Sequence, residues 1–264
     1  DEFCILLDGL EDLEEAGQIT DQIRKLLAQP NYVGSTEVFS TVSIGLAFST
    51  KGYDQAGDML RDADTALHRA KRAGRDRSET FRNTMHIESV RDFQMEVDLH
   101  RAVRRDEFCV RYQPLVDLDS GRLSGFEALV RWEHPEQGFV SPMDFIPLAE
   151  EVGLIAPIDR WVLGQASRQA RRWQVDYAAQ NQLQICVNVS SKQFSRSGLV
   201  EHVAGVLREA SLEPSSLKLE ITESAIMDNP EQASQILKDL REMGVRLALD
   251  DFGTGYSSLS HLQR

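Results

Sequence analysis

The sequence predicts an α/β protein. Apolar residues in the first eighty positions switch between a period of two and a helical period. From residue 107 onward, strand-like runs at 108–117, 123–132, 184–190, 217–222 and 245–250 are interleaved with helical patterns at 159–180, 199–210 and 230–243. Oxygen-bearing side chains recur inside or just after four of those runs. Strands alternating with helices imply βα units around a parallel sheet, whose active groups gather at the carboxyl ends of the strands.

Taken in order, Phe3 to Leu7 reads as a strand. Residues 11–29 carry Leu13, Ile19, Ile23, Leu26 and Leu27 at helical spacing, and Pro30 with Asn31 stops that helix. Between Val38 and Phe48, Val42, Ile44 and Leu46 alternate with Thr41, Ser43 and Gly45, which is strand periodicity. Residues 56–73 return to helix, with Met59, Leu60, Ala63, Leu67 and Ala70 on one face and Gly74 just past the end. The segment 76–98 is polar, lacks Pro and Gly, and spaces Met85, Ile87, Val90, Phe93, Met95 and Val97 along its length. It is expected to be a helical connector rather than a flexible linker. The expected organisation is a first domain over 1–80, a connector over 81–106 and a second domain over 107–264. No low-complexity tract or internal repeat is present.

Composition narrows the function. Of the 264 residues, 41% are hydrophobic and 27% charged, an ordinary globular balance. A net charge of −13 argues against a nucleic-acid binder, whose affinity comes largely from Lys and Arg. A small anionic ligand remains compatible, held by metal ions and a few placed arginines. Cys4, Cys109 and Cys186 lack zinc-type spacing and are expected to be buried free thiols in a reducing cytosol. No apolar run approaches the roughly 18 residues that a membrane span needs, and no signal peptide is expected. A cytoplasmic location is expected. The chain opens on Asp1, not Met, within strand-like sequence, so it is expected to begin inside a longer polypeptide that carries any membrane tether.

The chemistry-bearing residues sit at strand positions. Glu127 lies in Gly125-Phe126-Glu127-Ala128-Leu129-Val130-Arg131-Trp132, and Asn188 follows Ile185-Cys186-Val187. Glu220 follows Leu217-Lys218-Leu219, with Glu223 three residues on. Asp250 and Asp251 follow Val245 to Leu249 and enter Phe252-Gly253-Thr254-Gly255-Tyr256. Charged side chains are seldom buried unless paired or ligating metal. Mg²⁺ and Mn²⁺ prefer carboxylate, amide and water oxygens, and two metals clamp the attacking and leaving oxygens of a phosphodiester. Each residue alone has a plainer role: a turn with an Asp cap at 250–251, an ion pair between Glu127 and Arg131, a turn or cap at Asn188, and a Glu223 that serves a helix N-terminus or is solvated. The set of four donor-bearing strands favours metal.

These residues also carry a resemblance. Residues 107–264 resemble the N-terminal part of the EAL family of cyclic di-GMP phosphodiesterases. The matching stretches are Tyr112-Gln113-Pro114, Glu127-Ala128-Leu129 with Arg131-Trp132, Asn188-Val189-Ser190, Glu220-Ile221-Thr222-Glu223, and Asp250 through Ser258. The resemblance implies a modified TIM barrel, incomplete in this chain. It also implies a Mg²⁺- or Mn²⁺-dependent two-metal site that opens one phosphodiester of cyclic di-GMP to give pGpG. It assigns Glu127, Asn188, Glu220 and Asp250 as metal ligands, with Asp251 on the second metal and beside the attacking water. It makes Glu223 the residue that orders the following loop. Gln113, Leu129 and Arg131 become substrate contacts, Arg131 on a phosphate. The family's later Lys, Glu and Gln positions lie past Arg264, so hydrolysis is expected of the parent protein, not of these residues alone.

The first eighty residues resemble the C-terminal half of a GGDEF, or diguanylate cyclase, domain. The matches are Asp1-Glu2-Phe3, Thr41-Val42-Ser43-Ile44-Gly45, and Ala63-Asp64 through Lys71 to Gly74-Arg75. The resemblance makes Glu2 the signature acid and Lys71 and Arg75 triphosphate contacts. A solvated helix end with favourable dipole placement is the alternative for both cations. Together the resemblances imply a tandem signalling protein, with upstream sensor domains and a homodimer through the EAL domain as expected partners and cyclic di-GMP as ligand. A catalytically inactive cyclic di-GMP receptor is the competing reading. Asp251-Phe252-Gly253 also spells a kinase motif, but no catalytic His-Arg-Asp loop or glycine-rich phosphate loop precedes it.

Overall fold

The structure is a computed structural model that describes residues 2–10, 12–34, 36–177, 183–194, 198–227 and 229–250. Two compact units divide the chain, Asp1–Gln94 and Met95–Arg264.

In the first unit, helix α1 spans Leu13–Leu27 and starts where the Asp12 carboxylate accepts from the Glu15 amide at 2.8 Å. That bond satisfies a donor the first turn leaves open. Strands β1 (Asn31–Val33) and β2 (Thr36–Val38) pair antiparallel. Strand β3 (Ile44–Leu46) leads through helix α2 (Ala56–Arg72) to strand β4 (Ser78–Thr80), which pairs with β3 in parallel. Helix α2 lies directly on β3 because position 45 is glycine. A Cβ there would stand 2.1 Å from the Ala63 carbonyl oxygen and 2.3 Å from the Leu67 nitrogen. Ala66, Phe81 and Met85 form the small core beneath. Helix α3 (Thr84–Arg105) follows.

Four expectations change here. Phe3–Leu7 joins no ladder among the described residues, and Phe3, Ile5 and Leu6 are exposed. Alternation alone does not make a strand when no partner edge is present. Cys4 is therefore exposed, not buried, while Cys109 is half-buried and Cys186 buried. The run 38–48 is not one strand, since β2 and β3 belong to different sheets. The helix expected from residue 76 begins only at Thr84, because Ser78–Thr80 is taken by the ladder with β3.

In the second unit, strands β5 (Phe108–Val116) and β6 (Leu123–His134) form an antiparallel pair, and β7 (Gly138–Val140) pairs with the end of β6. Helices α4 (Pro142–Glu151) and α5 (Ile155–Asp176) follow. Then come β8 (Gln184–Val189), the short helix α6 (Ser191–Phe194) and α7 (Leu199–Ala210). Strand β9 (Leu217–Thr222), α8 (Glu223–Met227), α9 (Pro230–Glu242) and β10 (Arg246–Asp250) complete the described elements. The strand order is β10-β9-β8-β6-β5, with β6, β8, β9 and β10 mutually parallel. This is the α/β arrangement the interleaved patterns predict. Sequence periodicity missed β7 and α4, although Ser141 before Pro142 signals the start of α4.

One sheet face is apolar. Ile185, Val187 and Val189 of β8, Leu217, Leu219 and Ile221 of β9, and Ala128 and Trp132 of β6 are all buried. They belong to one core with Ile158, Val162, Ala166 and Ala170 of α5 and Val203 and Leu207 of α7. Each fully buried aliphatic or aromatic side chain contributes about 1.5–3 kcal/mol. That burial fixes the register, because a one-residue slip would turn the whole row to the other face.

Candidate functional site

The period of two places the remaining strand residues on the opposite face. Glu127 stands opposite Cys186 of β8. Asn188 lies two residues further along β8 and stands opposite Glu220 of β9. Glu220 is opposite Ala248 of β10, and Asp250 lies two residues beyond that. Every offset is even, so Glu127, Asn188, Glu220 and Asp250 share one face and step toward the carboxyl ends of their strands. Their odd-numbered or even-numbered neighbours on the other face, such as Ala128, Val187 and Leu219, are the core residues. The hydrophobic pattern thus aims the donors.

Glycine at position 125 permits the close approach of β6 and β8 beside Glu127. A Cβ there would stand 2.3 Å from the Gln184 carbonyl oxygen. Two positions on, the strands are joined through their side chains: Asn188 Nδ2 donates to Glu127 Oε1 at 2.8 Å. Asn188 is exposed and Glu127 half-buried. Glu220 accepts from Lys218 Nζ at 3.0 Å along the same strand. Burial works against the Lys218 charge, yet its pKa is raised, because the Glu220 hydrogen bond and the charges of Glu220 and Glu127 help to outweigh it. Burial, aided by Glu220, pushes the Cys186 thiol up to about 11, so it stays protonated at neutral pH.

Among the described residues, no three His, Cys, Asp or Glu side chains converge into a metal-holding group. Asn188 is an amide, and Asp251 with the glycine-rich loop after it lies outside the described residues. Close carboxylates repel unless a cation stands between them, and here the Lys218 ammonium takes up Glu220. The donor set is nonetheless all oxygen and shares one sheet face, which suits a hard divalent cation.

Gln113 stands directly opposite Glu127 across the antiparallel ladder, and Leu129 and Arg131 follow on the Glu127 face of β6. Arg131 Nη1 donates to the Val130 carbonyl oxygen at 2.8 Å. Among the described residues it makes no ion pair with Glu127. Glu223 is the half-buried first residue of α8, directly after β9. In the first unit, Lys71 Nζ lies 2.7 Å from Glu2 Oε1, and that contact lowers the Glu2 pKa. Arg75 has a left-handed backbone, φ 58°, and its amide closes the end of α2 on the Ala70 carbonyl.

Comparison with known proteins identifies the second unit. The family model described as "EAL domain" matches residues 96–264. The chain belongs to the EAL domain family. Before the EAL match, the model described as "Diguanylate cyclase, GGDEF domain" covers residues 1–77. Over its whole length the chain is 38% identical to Cyclic di-GMP phosphodiesterase NbdA of Pseudomonas aeruginosa, covering 33% of that protein. It is 40% identical to the Bifunctional diguanylate cyclase/cyclic di-GMP phosphodiesterase MucR of the same organism, covering 38% of it. The chain therefore spans about a third of the length of the curated relatives it matches.

Among solved EAL structures, the MucR phosphodiesterase in complex with c-di-GMP aligns with a TM-score of 0.61 and 46% identity. That alignment covers 64% of this chain and 68% of that one. The Xanthomonas citri FimX EAL domain in complex with c-diGMP aligns with a TM-score of 0.57 and 27% identity, covering 67% of each chain. The fold is thus of the EAL type. Sequence reasoning overlooked Lys218 in this EAL unit. Lys218 was findable, since two positions before Glu220 on one strand means the same face. Among the described residues no helix is long and apolar enough to cross a membrane.

Proposed function

We propose that the full-length protein is a cyclic di-GMP phosphodiesterase that opens one phosphodiester and releases pGpG, using Mg²⁺ or Mn²⁺. The observation that carries this reading is the row of oxygen donors on one sheet face, tied by the Asn188–Glu127 hydrogen bond. The names of the relatives NbdA and MucR point the same way.

Glu127, Asn188, Glu220 and Asp250 would hold the first cation, and Asp250 with Asp251 would reach a second. A bound divalent cation lowers the pKa of water and offsets charge on the phosphate. The chain's own residues prepare the rest. Asn188 spends Nδ2 on Glu127, so its carbonyl oxygen is the atom left for a hard cation. Lys218 keeps the Glu220 carboxylate on the working face. Asp251 is suited to accept the proton of the attacking water, and Glu223 to order the loop that carries Asp251. Arg131 has one N–H engaged with its own strand, which steadies the guanidinium while other donors remain for a phosphate. Gln113 and Leu129 line the approach on neighbouring positions of the same face.

The same reading assigns residues 1–80 to a GGDEF remnant with Glu2, Lys71 and Arg75 at its nucleotide side. Residues 81–106 then connect it to an EAL domain over 107–264. A homodimer through the EAL domain and upstream sensor domains complete the proposed context, located in the cytoplasm. The test is incubation of the full-length protein with cyclic di-GMP and Mg²⁺ or Mn²⁺, followed by chromatography. Appearance of pGpG that stops on chelation supports the proposal. Tight binding of cyclic di-GMP with no pGpG would replace it with the receptor reading.

A further inference from the structure

One acid outside the donor row is enclosed by protein and bonded to the segment that follows Asn188. Asp159 lies in the first turns of α5, half-buried as a residue, with its carboxylate enclosed. Its Oδ2 accepts from the Ser190 backbone amide at 3.1 Å and from Ser190 Oγ at 2.5 Å. Ser190 in turn caps α6: its Oγ accepts from the Gln193 amide at 3.2 Å, and its carbonyl accepts from the amides of Gln193 and Phe194. Gln193 and Phe194 are buried, so α6 is fixed in place. Ser190 is two residues past Asn188. One carboxylate oxygen therefore ties helix α5 to the end of the strand that presents Asn188 to Glu127.

Two bonds from a single residue are what hold this charge. Among the described residues the charged group that acts on Asp159 is Glu150 of α4, which opposes ionisation. Lys192 of α6 acts on Glu150, and Arg160 beside Asp159 acts on His202 of α7. A neutral carboxyl is a weaker acceptor than a carboxylate, and its proton competes with the Ser190 donors for the same oxygens.

We propose that Asp159 is a positioning residue: its carboxylate clamps Ser190 and so sets the height at which Asn188 meets Glu127 in the donor row. The catalytic consequence rests on the phosphodiesterase reading, whereas the clamp itself does not. Burial raises the Asp159 pKa from 3.8 to about 6, so the clamp loosens within an accessible pH range.

The deciding experiment is NMR of the full-length, metal-free protein with ¹⁵N-labelled asparagine, following the Asn188 side-chain amide between pH 5 and 7.5. The expected result is a shift with its midpoint near pH 6 in wild type, absent in Asp159→Asn. Ser190→Ala, which keeps the backbone amide but removes Oγ, should show a smaller shift and guards against a misfolded Asp159→Asn. A signal that does not move in wild type, or that moves alike in wild type and Asp159→Asn, overturns the clamp. Hydrolysis gives the second readout. The wild-type kcat should fall roughly tenfold per pH unit below the midpoint. Asp159→Asn should lack that limb, with KM little changed. An enzyme that never hydrolyses refutes the function while leaving the NMR result to decide the clamp.

Discussion

Asn188 and Glu127 meet side chain to side chain across two parallel strands, Nδ2 to Oε1 at 2.8 Å, although 61 residues separate them in sequence. The contact exists because β6 and β8 pair with Glu127 opposite Cys186, which places Asn188 one pleat higher on the same face. An amide next to a carboxylate satisfies one carboxylate oxygen without adding charge, which leaves the pair able to take a cation.

Replacing Asn188 by Ala should therefore separate chemistry from folding. Loss of one exposed hydrogen bond costs about 0.5–1.5 kcal/mol of stability. Loss of a partner that orients a metal ligand costs about 10–100-fold in activity or metal affinity. Urea unfolding and steady-state hydrolysis on the same preparation measure the two.

Gly125→Ala should damage both at once. Its Cβ would stand 2.3 Å from the Gln184 carbonyl oxygen, which is backbone and cannot swing aside. The strands must part just where Glu127 and Asn188 meet. A loss of about 1–3 kcal/mol, the usual range for overpacking, is expected in denaturant unfolding. The Asn188 variants should add little further loss of activity in this background.

Phe145→Ala should destabilise the second unit without touching the donor row directly. Phe145 is fully buried and packs edge-on against Trp132, with ring centroids 5.7 Å apart. Truncation of a buried Phe costs about 3–5 kcal/mol. Tryptophan fluorescence should report the shift in unfolding midpoint through Trp132.

In the first unit, Asp62 is 4% exposed and accepts from Lys51 Nζ at 2.9 Å and Tyr53 Oη at 2.7 Å, with His86 Nε2 2.8 Å away. Burial opposes its charge, but the Lys51 and Tyr53 bonds prevail and its pKa is lowered. A lowered acid pKa means that the folded state binds its proton less tightly than the unfolded chain. The stability it contributes is present above the ordinary 3.8 and is lost as pH falls through the lower folded value. Asp62→Asn should cost on the order of 1–3 kcal/mol at neutral pH. The difference from wild type should shrink in acid, as followed by circular dichroism melts.

Much of this was legible from periodicity, and the limits have physical causes. Strands β8 and β9 were visible because Ile185, Val187, Leu217 and Leu219 point into a helix-covered core while Asn188 and Glu220 point away. Helix α7 was legible to the residue, since its apolar positions and helical spacing coincide over 199–210. Phe3–Leu7 misled because its apolar residues find no partner edge among the described residues. The three-residue strands β4 and β7 are too short for any period to register. Site residues were recognisable as donors on strands, but partnership was not: nothing in the sequence pairs Asn188 with Glu127 or Asp159 with Ser190. Register decides those contacts, and it is set by residues far from both.

On the proposed function, Glu127 acts through its charge within the donor row. Glu127→Gln keeps the side-chain length and an oxygen for Asn188 Nδ2 while removing the negative charge. The measurement is Mg²⁺-dependent conversion of cyclic di-GMP to pGpG by the full-length protein, wild type against Glu127→Gln, with melting temperatures compared alongside. A loss of about 100-fold or more is expected, the scale of removing a group that fixes a catalytic metal, with melting unchanged. Turnover equal to wild type would contradict it.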